Sequence, residues 1–398
     1  MDIMQKLSEM PSIFNASGDW NDQRRDELFN ILIENVFGRI PPAPIKTEYK
    51  EYTFNECIFD EESFDDPTKE MHDWFGNENN ARFKKVRVIC HLSENDFPGL
   101  SKYPEAEEKF EFDISCYIPN LIDGEKVPAI AALSYRETFD NSALPMKEIV
   151  EQKVAVFAIR YRHIVNDYPE RNNPGRIHPQ FNDTGLDRLY YGDYRLRDDH
   201  TSRKNDEPGT IAMWAWGASR VMDYIQTQGS YIDLNKVAVS GFSRLGKTSL
   251  LAGAADTRFT HVLSHASCAA GASLTHIDTK ETLKSVSIYP EWFCENLQKC
   301  CENPPFDMHY LLGCIAPRKI YISNSDNDVY CDQNAEYLSC VLASKIYEKL
   351  GETGFIHPDR LPEVGDVFHE GNIAYHLREG AHAFILYDWM KMIEFLSL

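Results

Sequence analysis

The chain contains no run of eighteen apolar residues, and its first twenty, MDIMQKLSEMPSIFNASGDW, hold neither a basic nor an apolar stretch. These absences exclude a membrane-spanning helix of ordinary length and a secretory leader in the residues given, so a cytoplasmic location is expected. Basic residues are few, 41 Lys and Arg against 62 Asp and Glu, for a net charge of −21. Such a surface repels phosphate backbones and anionic lipid, so neither nucleic acid nor membrane is an expected partner. The ten cysteines form no C-x-x-C pair, and adjacent Cys300 and Cys301 are poorly placed to ligate one zinc, so no structural metal is expected. Cys90 and Cys116 fall inside strand-like apolar runs, which favours buried thiols over disulfides.

What is present is ample core material, 43% hydrophobic and 12% aromatic. Residues 1–80 are polar and aromatic-studded, with one helical pattern, DQRRDELFNILIENVFG, and suggest an N-terminal extension packed on a main domain of residues 81–398. From Phe83 the pattern changes. FKKVRVICHL and KFEFDISCYI alternate as half-exposed antiparallel strands do, whereas VPAIAALSY and KVAVFAIRY are continuous apolar runs of the kind central strands show. A polar excursion over 162–207 carries no hydrophobic period; loops of that length are functional or disordered. The amphipathic helix GTIAMWAWGASRVMDYIQTQ follows, then strands and helices alternate to the end. The predicted fold is α/β: a doubly wound, mainly parallel sheet with antiparallel strands at its start.

The stretch KVAVSGFSRLGKTSLLAGAADTRF joins a strand to a small-residue helix through G-x-S-x-x-G. Gly241 and Gly246 permit close packing around Ser243, and the helix N-terminus offers amides to a developing oxyanion; these are the parts of a nucleophile elbow. The competing reading is a buried serine that caps a helix. In the chain order serine, acid, histidine, two late histidines qualify. His382, after Gly380 and Ala381, sits on a loop able to reach the serine, while His376 in the apolar run IAYHL suits a strand. The acid falls in NSDNDVYCDQ after the strand RKIYIS, and residue chemistry leaves Asp326, Asp328 and Asp332 open.

From Gly209 to Trp389 the chain resembles the glucuronoyl esterases, carbohydrate esterase family 15, and their acetylxylan esterase-like relatives of the α/β-hydrolase fold. The resemblance lies in GTIAMWAWGASRVMDY, VAVSGFSRLGKTSLLAGAADTRF, YPEWFCENL, PPFDMHYLLGCIAPRKIYIS, DNDVYCDQNAEYL and AYHLREGAHAFILYDW. It implies an ester hydrolase with Ser243 as nucleophile and His382 as base, needing no metal or organic cofactor. It implies that Arg244 lends its amide and guanidinium to the oxyanion hole, and that Lys247 hydrogen-bonds sugar hydroxyls. Many relatives carry the acid just after the strand that follows the nucleophile helix; here that block reads HASCAAG, with Ala266 in its place. The family's second acid position falls on Asp328. Tyr330 replaces the tryptophan expected against the sugar, and Trp292 is a further candidate platform. Asp307 and His309 are expected to be structural, and His265 to end a strand. The implied substrate is a 4-O-methyl-glucuronoyl ester of a xylan fragment, or an acetyl ester of a xylo-oligosaccharide. A rival reading is an inert carbohydrate-binding member, which a carboxylate out of reach of His382 would favour.

Overall fold

A computed structural model describes residues 7–8, 10–53, 56, 74–75, 77, 80–135, 144–166, 185–191 and 204–398. Most of the polar excursion over 162–207 lies outside them. Ten strands form one sheet among the described residues: β1 (Lys46–Thr53), β2 (Ala81–His91), β3 (Lys109–Pro119), β4 (Val127–Ser134), β5 (Ala155–Arg160), β6 (Ile232–Phe242), β7 (His261–His265), β8 (Lys319–Ser325), β9 (Val367–Phe368) and β10 (Ile373–Arg378). Their order is β1-β2-β3-β5-β4-β6-β7-β8-β10-β9. From β5 through β10 every neighbouring pair is parallel, while β1, β2 and β3 pair antiparallel, as the alternating and continuous patterns predict.

The longer helices are α1 (Asp22–Leu32), α2 (Thr210–Gln226), α3 (Arg244–Ala255), α4 (Gln333–Lys349) and α5 (Leu386–Ser397). Because side chains alternate along a strand, Val237 and Val239 of β6 join the core shared with α2, α3 and α4, and Ala238 faces the layer of α5. Trp389, Met392, Ile393 and Leu396, three and four apart on α5, are all buried. At about 1.5–3 kcal/mol for each large apolar side chain, that stripe outweighs intrinsic propensity in fixing the last helix.

Two expectations need revision. Residues 46–53, assigned to the extension, form the edge strand β1 and pair with β2 from Lys46↔His91 to Thr53↔Lys84. The disulfide-free reading fails at Cys268 and Cys331, which are bonded across 63 residues. They meet because β7 and β8 are parallel neighbours, so the loops that leave them emerge side by side. Cys90 and Cys116 are buried free thiols, as expected. No helix among the described residues is long and apolar enough to cross a membrane.

Candidate active site

β6 ends at Phe242, and Ser243 takes φ 58°, ψ −125° immediately before α3. A non-glycine residue there stores strain of about 1–3 kcal/mol, which the surrounding turn must hold. The two glycines explain how. A methyl on Gly241 would lie 2.0 Å from the Leu245 carbonyl oxygen, and one on Gly246 3.0 Å from that of His265. The second glycine stands three residues past the serine because the first turn of α3 packs on the end of β7. The Ser243 N–H donates to the His265 carbonyl at 2.9 Å, which pins the strained residue to the same strand end. The Ser243 side chain makes no capping bond, so the helix-cap reading does not describe it.

His382 Nε2 lies 3.0 Å from Ser243 Oγ, and Nδ1 lies 2.6 Å from Asp328 Oδ2. A carboxylate accepts only, so Nδ1 carries the proton and Nε2 is free to receive one from the serine. Asp328 is 1% exposed. Its other oxygen accepts the N–H groups of Tyr330 at 2.8 Å and Cys331 at 2.9 Å. Burial alone would raise this carboxyl; the hydrogen bonds from His382 and the two amides outweigh it and hold the group below the usual carboxylate range. The neighbouring aspartates have other work. Asp332 accepts from the Ala335 N–H at the start of α4, and Asp326 accepts from the Gly380 N–H, bracing the histidine loop. The inert reading needed a carboxylate out of reach, and Asp328 is within hydrogen-bonding distance.

The loop of His382 is also held from beneath. His265 Nε2 donates to the Ala383 carbonyl at 2.7 Å, so its Nδ1 accepts from Ser323 Oγ at 2.7 Å. Arg378 donates to the same carbonyl and to Asp388. Asp388 in turn takes His376 at 2.9 Å, which makes His376 a satisfied strand histidine. His265 thus holds the serine by its backbone and the base loop by its ring, a double role that a histidine at a strand end does not announce.

Arg244 lies over three rings, with centroid distances of 4.7 Å to Tyr135, 5.4 Å to Tyr161 and 5.5 Å to Trp292. Trp292 is 7% exposed and stacked on Tyr289 at 4.2 Å, so little of its ring is open to a sugar and its contact is with Arg244. Tyr330 is 55% exposed, with its ring 5.1 Å from that of His382. Lys247 is buried; its ammonium donates to the carbonyls of Ser267 and Ala269, each at 2.6 Å, and to Glu281 at 3.2 Å. Asp307 accepts from the Thr275, His276 and Met308 amides, and His309 Nε2 donates to the Pro11 carbonyl, the structural roles expected of them. Tyr135, Tyr161 and Glu281 escaped the sequence reading. Tyr135 and Tyr161 carried a signal, each as the residue directly after an apolar strand run, whereas Glu281 carried none.

A hydroxyl with a proton path to a carboxylate-fixed imidazole, at the carboxyl ends of parallel strands, is equipped to exchange acyl groups, and this places the chain among the serine carboxylic-ester hydrolases of the α/β-hydrolase fold. The family model for fungal glucuronyl esterases matches residues 201–351. Carbohydrate esterase MZ0003, from an unknown prokaryotic organism, is 38% identical over 396 residues, 96% of this chain and 85% of that one. A 4-O-methyl-glucuronoyl methylesterase of Podospora anserina is 33% identical over 156 residues, 36% of this chain and 32% of that one. A promiscuous CE15 esterase from a marine bacterial metagenome superposes with a TM-score of 0.71 at 25% identity, covering 98% of each chain. The chain belongs to the glucuronoyl esterases of carbohydrate esterase family 15.

Proposed function

We propose that the chain hydrolyses 4-O-methyl-glucuronoyl esters of xylan fragments through an acyl-enzyme. The observation that carries this reading is the unbroken relay Ser243–His382–Asp328, with contacts of 3.0 and 2.6 Å, in a member of this family. Ser243 Oγ bonds to the ester carbonyl carbon as its proton passes to His382 Nε2. The carbonyl electron pair becomes an oxyanion, stabilised by the Arg244 amide and by the guanidinium nearby. Collapse expels the alcohol, which takes the proton from His382. Water then attacks the acyl-enzyme by the same route, releasing the uronic acid and free Ser243. Asp328 remains ionised throughout, orienting His382 and stabilising its cation.

Tyr330 is the exposed aromatic beside the base and the best-placed wall for the sugar. For Lys247 to bond a sugar hydroxyl, the sugar must take the place of Glu281, the one side chain among its three acceptors. The test is hydrolysis of a benzyl glucuronate ester beside an aryl acetate, in the parent and in Ser243→Ala. The expected result is hydrolysis of the glucuronate ester and a loss of at least about 10³-fold in kcat in the variant. Activity on acetate alone sinks the substrate, and undiminished activity in the alanine variant sinks the mechanism.

A further inference from the structure

An oxyanion hole in this fold draws one amide from the residue after the nucleophile and a second donor from the segment after the strand beside it. Here that strand is β4, which pairs in parallel with β6 in the register Ala132↔Ser240. Tyr135 comes next in the chain after β4. Its hydroxyl donates to the Phe242 carbonyl at 2.8 Å, against the residue that precedes the nucleophile. Burial raises this phenol, and the nearby Ser243 hydroxyl and Leu245 N–H act weakly the other way. The Arg244 guanidinium lies 4.7 Å over its ring.

We propose that the Tyr135 hydroxyl is a catalytic donor to the oxyanion, a role that rests on Ser243 being the nucleophile. As the bond between Ser243 Oγ and the carbonyl carbon forms and the serine proton passes to His382, the carbonyl π pair moves onto oxygen. The phenol proton, held at rest by a neutral carbonyl, then turns to a full negative charge. A hydrogen bond to a charged acceptor is roughly twice as strong as one to a neutral acceptor. No proton leaves the phenol. Burial pushes the Tyr135 hydroxyl up to about 12 despite the nearby Arg244 cation, so it stays protonated, and a donor, at neutral pH. Because the exchange of partners occurs only with the charged intermediate, its effect belongs in kcat and not in substrate binding.

Tyr135→Phe keeps the ring beneath Arg244 and removes only the hydroxyl. The expected result is a fall in kcat of about a hundredfold on both the benzyl glucuronate ester and an aryl acetate, with KM within about twofold. A trifluoromethyl ketone, which forms a tetrahedral oxyanion on Ser243, should lose affinity by a similar factor, a change that a packing role would not produce. A folded Tyr135→Phe enzyme with kcat within twofold of the parent overturns the proposal. If that variant does not fold, 3,5-difluorotyrosine at position 135 keeps the hydroxyl and makes it a stronger donor. The ketone should then bind more tightly, and weaker or unchanged binding overturns the proposal. Ser243→Ala measured in parallel separates the two readings. Activity lost with Ser243→Ala and kept with Tyr135→Phe removes only Tyr135, whereas activity kept in both removes the nucleophile.

Discussion

Asp328 is fixed by one imidazole and two backbone amides, and that arrangement sets the cost of changing it. Asp328→Asn conserves volume but offers His382 an amide in place of an anion, so the imidazole loses both its preferred tautomer and the stabilisation of its cation. The expected outcome is a fall in kcat of about 10³- to 10⁴-fold with KM and circular dichroism unchanged, read from steady-state kinetics. Ser243 and His382 were legible in the sequence because glycine spacing and chain order constrain them locally. Asp328 needed the family resemblance as well. Three aspartates within seven residues look alike on the page, and their roles part only when β10 brings Gly380 and His382 alongside. Lys247 and Trp292 were legible as residue types but not in their contacts: those of Lys247 come from residues 20 to 34 positions on, and that of Trp292 with Arg244 from a helix 48 positions earlier.

The loops after β7 and β8 form one unit at the scale of elements. Cys331 supplies an amide to the acid, and its sulfur ties it to Cys268, whose own N–H donates to buried Glu336 at 2.7 Å. Burial raises Glu336 to about 7 against the pull of the hydrogen bonds it accepts. In the chain-entropy account a bridge across 63 residues contributes about 4 kcal/mol. Cys268→Ser combined with Cys331→Ser should therefore lower the urea midpoint and, by loosening the acid loop, reduce kcat more than it raises KM. A double variant equal to the parent in both would separate the bridge from the site. The sequence hid this pairing because cysteine spacing is silent on which loops a parallel sheet sets side by side. The antiparallel-to-parallel change along the sheet, by contrast, was legible as a change from alternating to continuous apolar runs. The polar strand β1, KTEYKEYT, was not, since an edge strand needs little apolar surface.

For the whole molecule, His261 is lowered to about 3, and His265, His309 and His369 to about 4, each mainly by burial. Unfolding returns them to values near 6.5. Between about pH 6.5 and 4 the unfolded chain binds more protons, so the free energy of unfolding falls as pH falls, by up to about 1.4 kcal/mol per pH unit for each such histidine. Asp388 acts in a lower window: its depressed carboxyl contributes stability above the ordinary carboxylate value, lost only as pH falls below about 4. Urea midpoints measured from pH 7.5 to 4.5 should decline steadily, and a flat series would contradict the burial of these rings. One feature of the acid loop reaches further. Asp328 and Tyr330 stand two residues apart, and the Tyr330 amide is itself a ligand of the carboxylate. The relay and the proposed sugar wall are therefore inherited as one cassette: recombination that swaps Tyr330 swaps Asp328, and a mutant library aimed at substrate preference there selects on turnover at the same time.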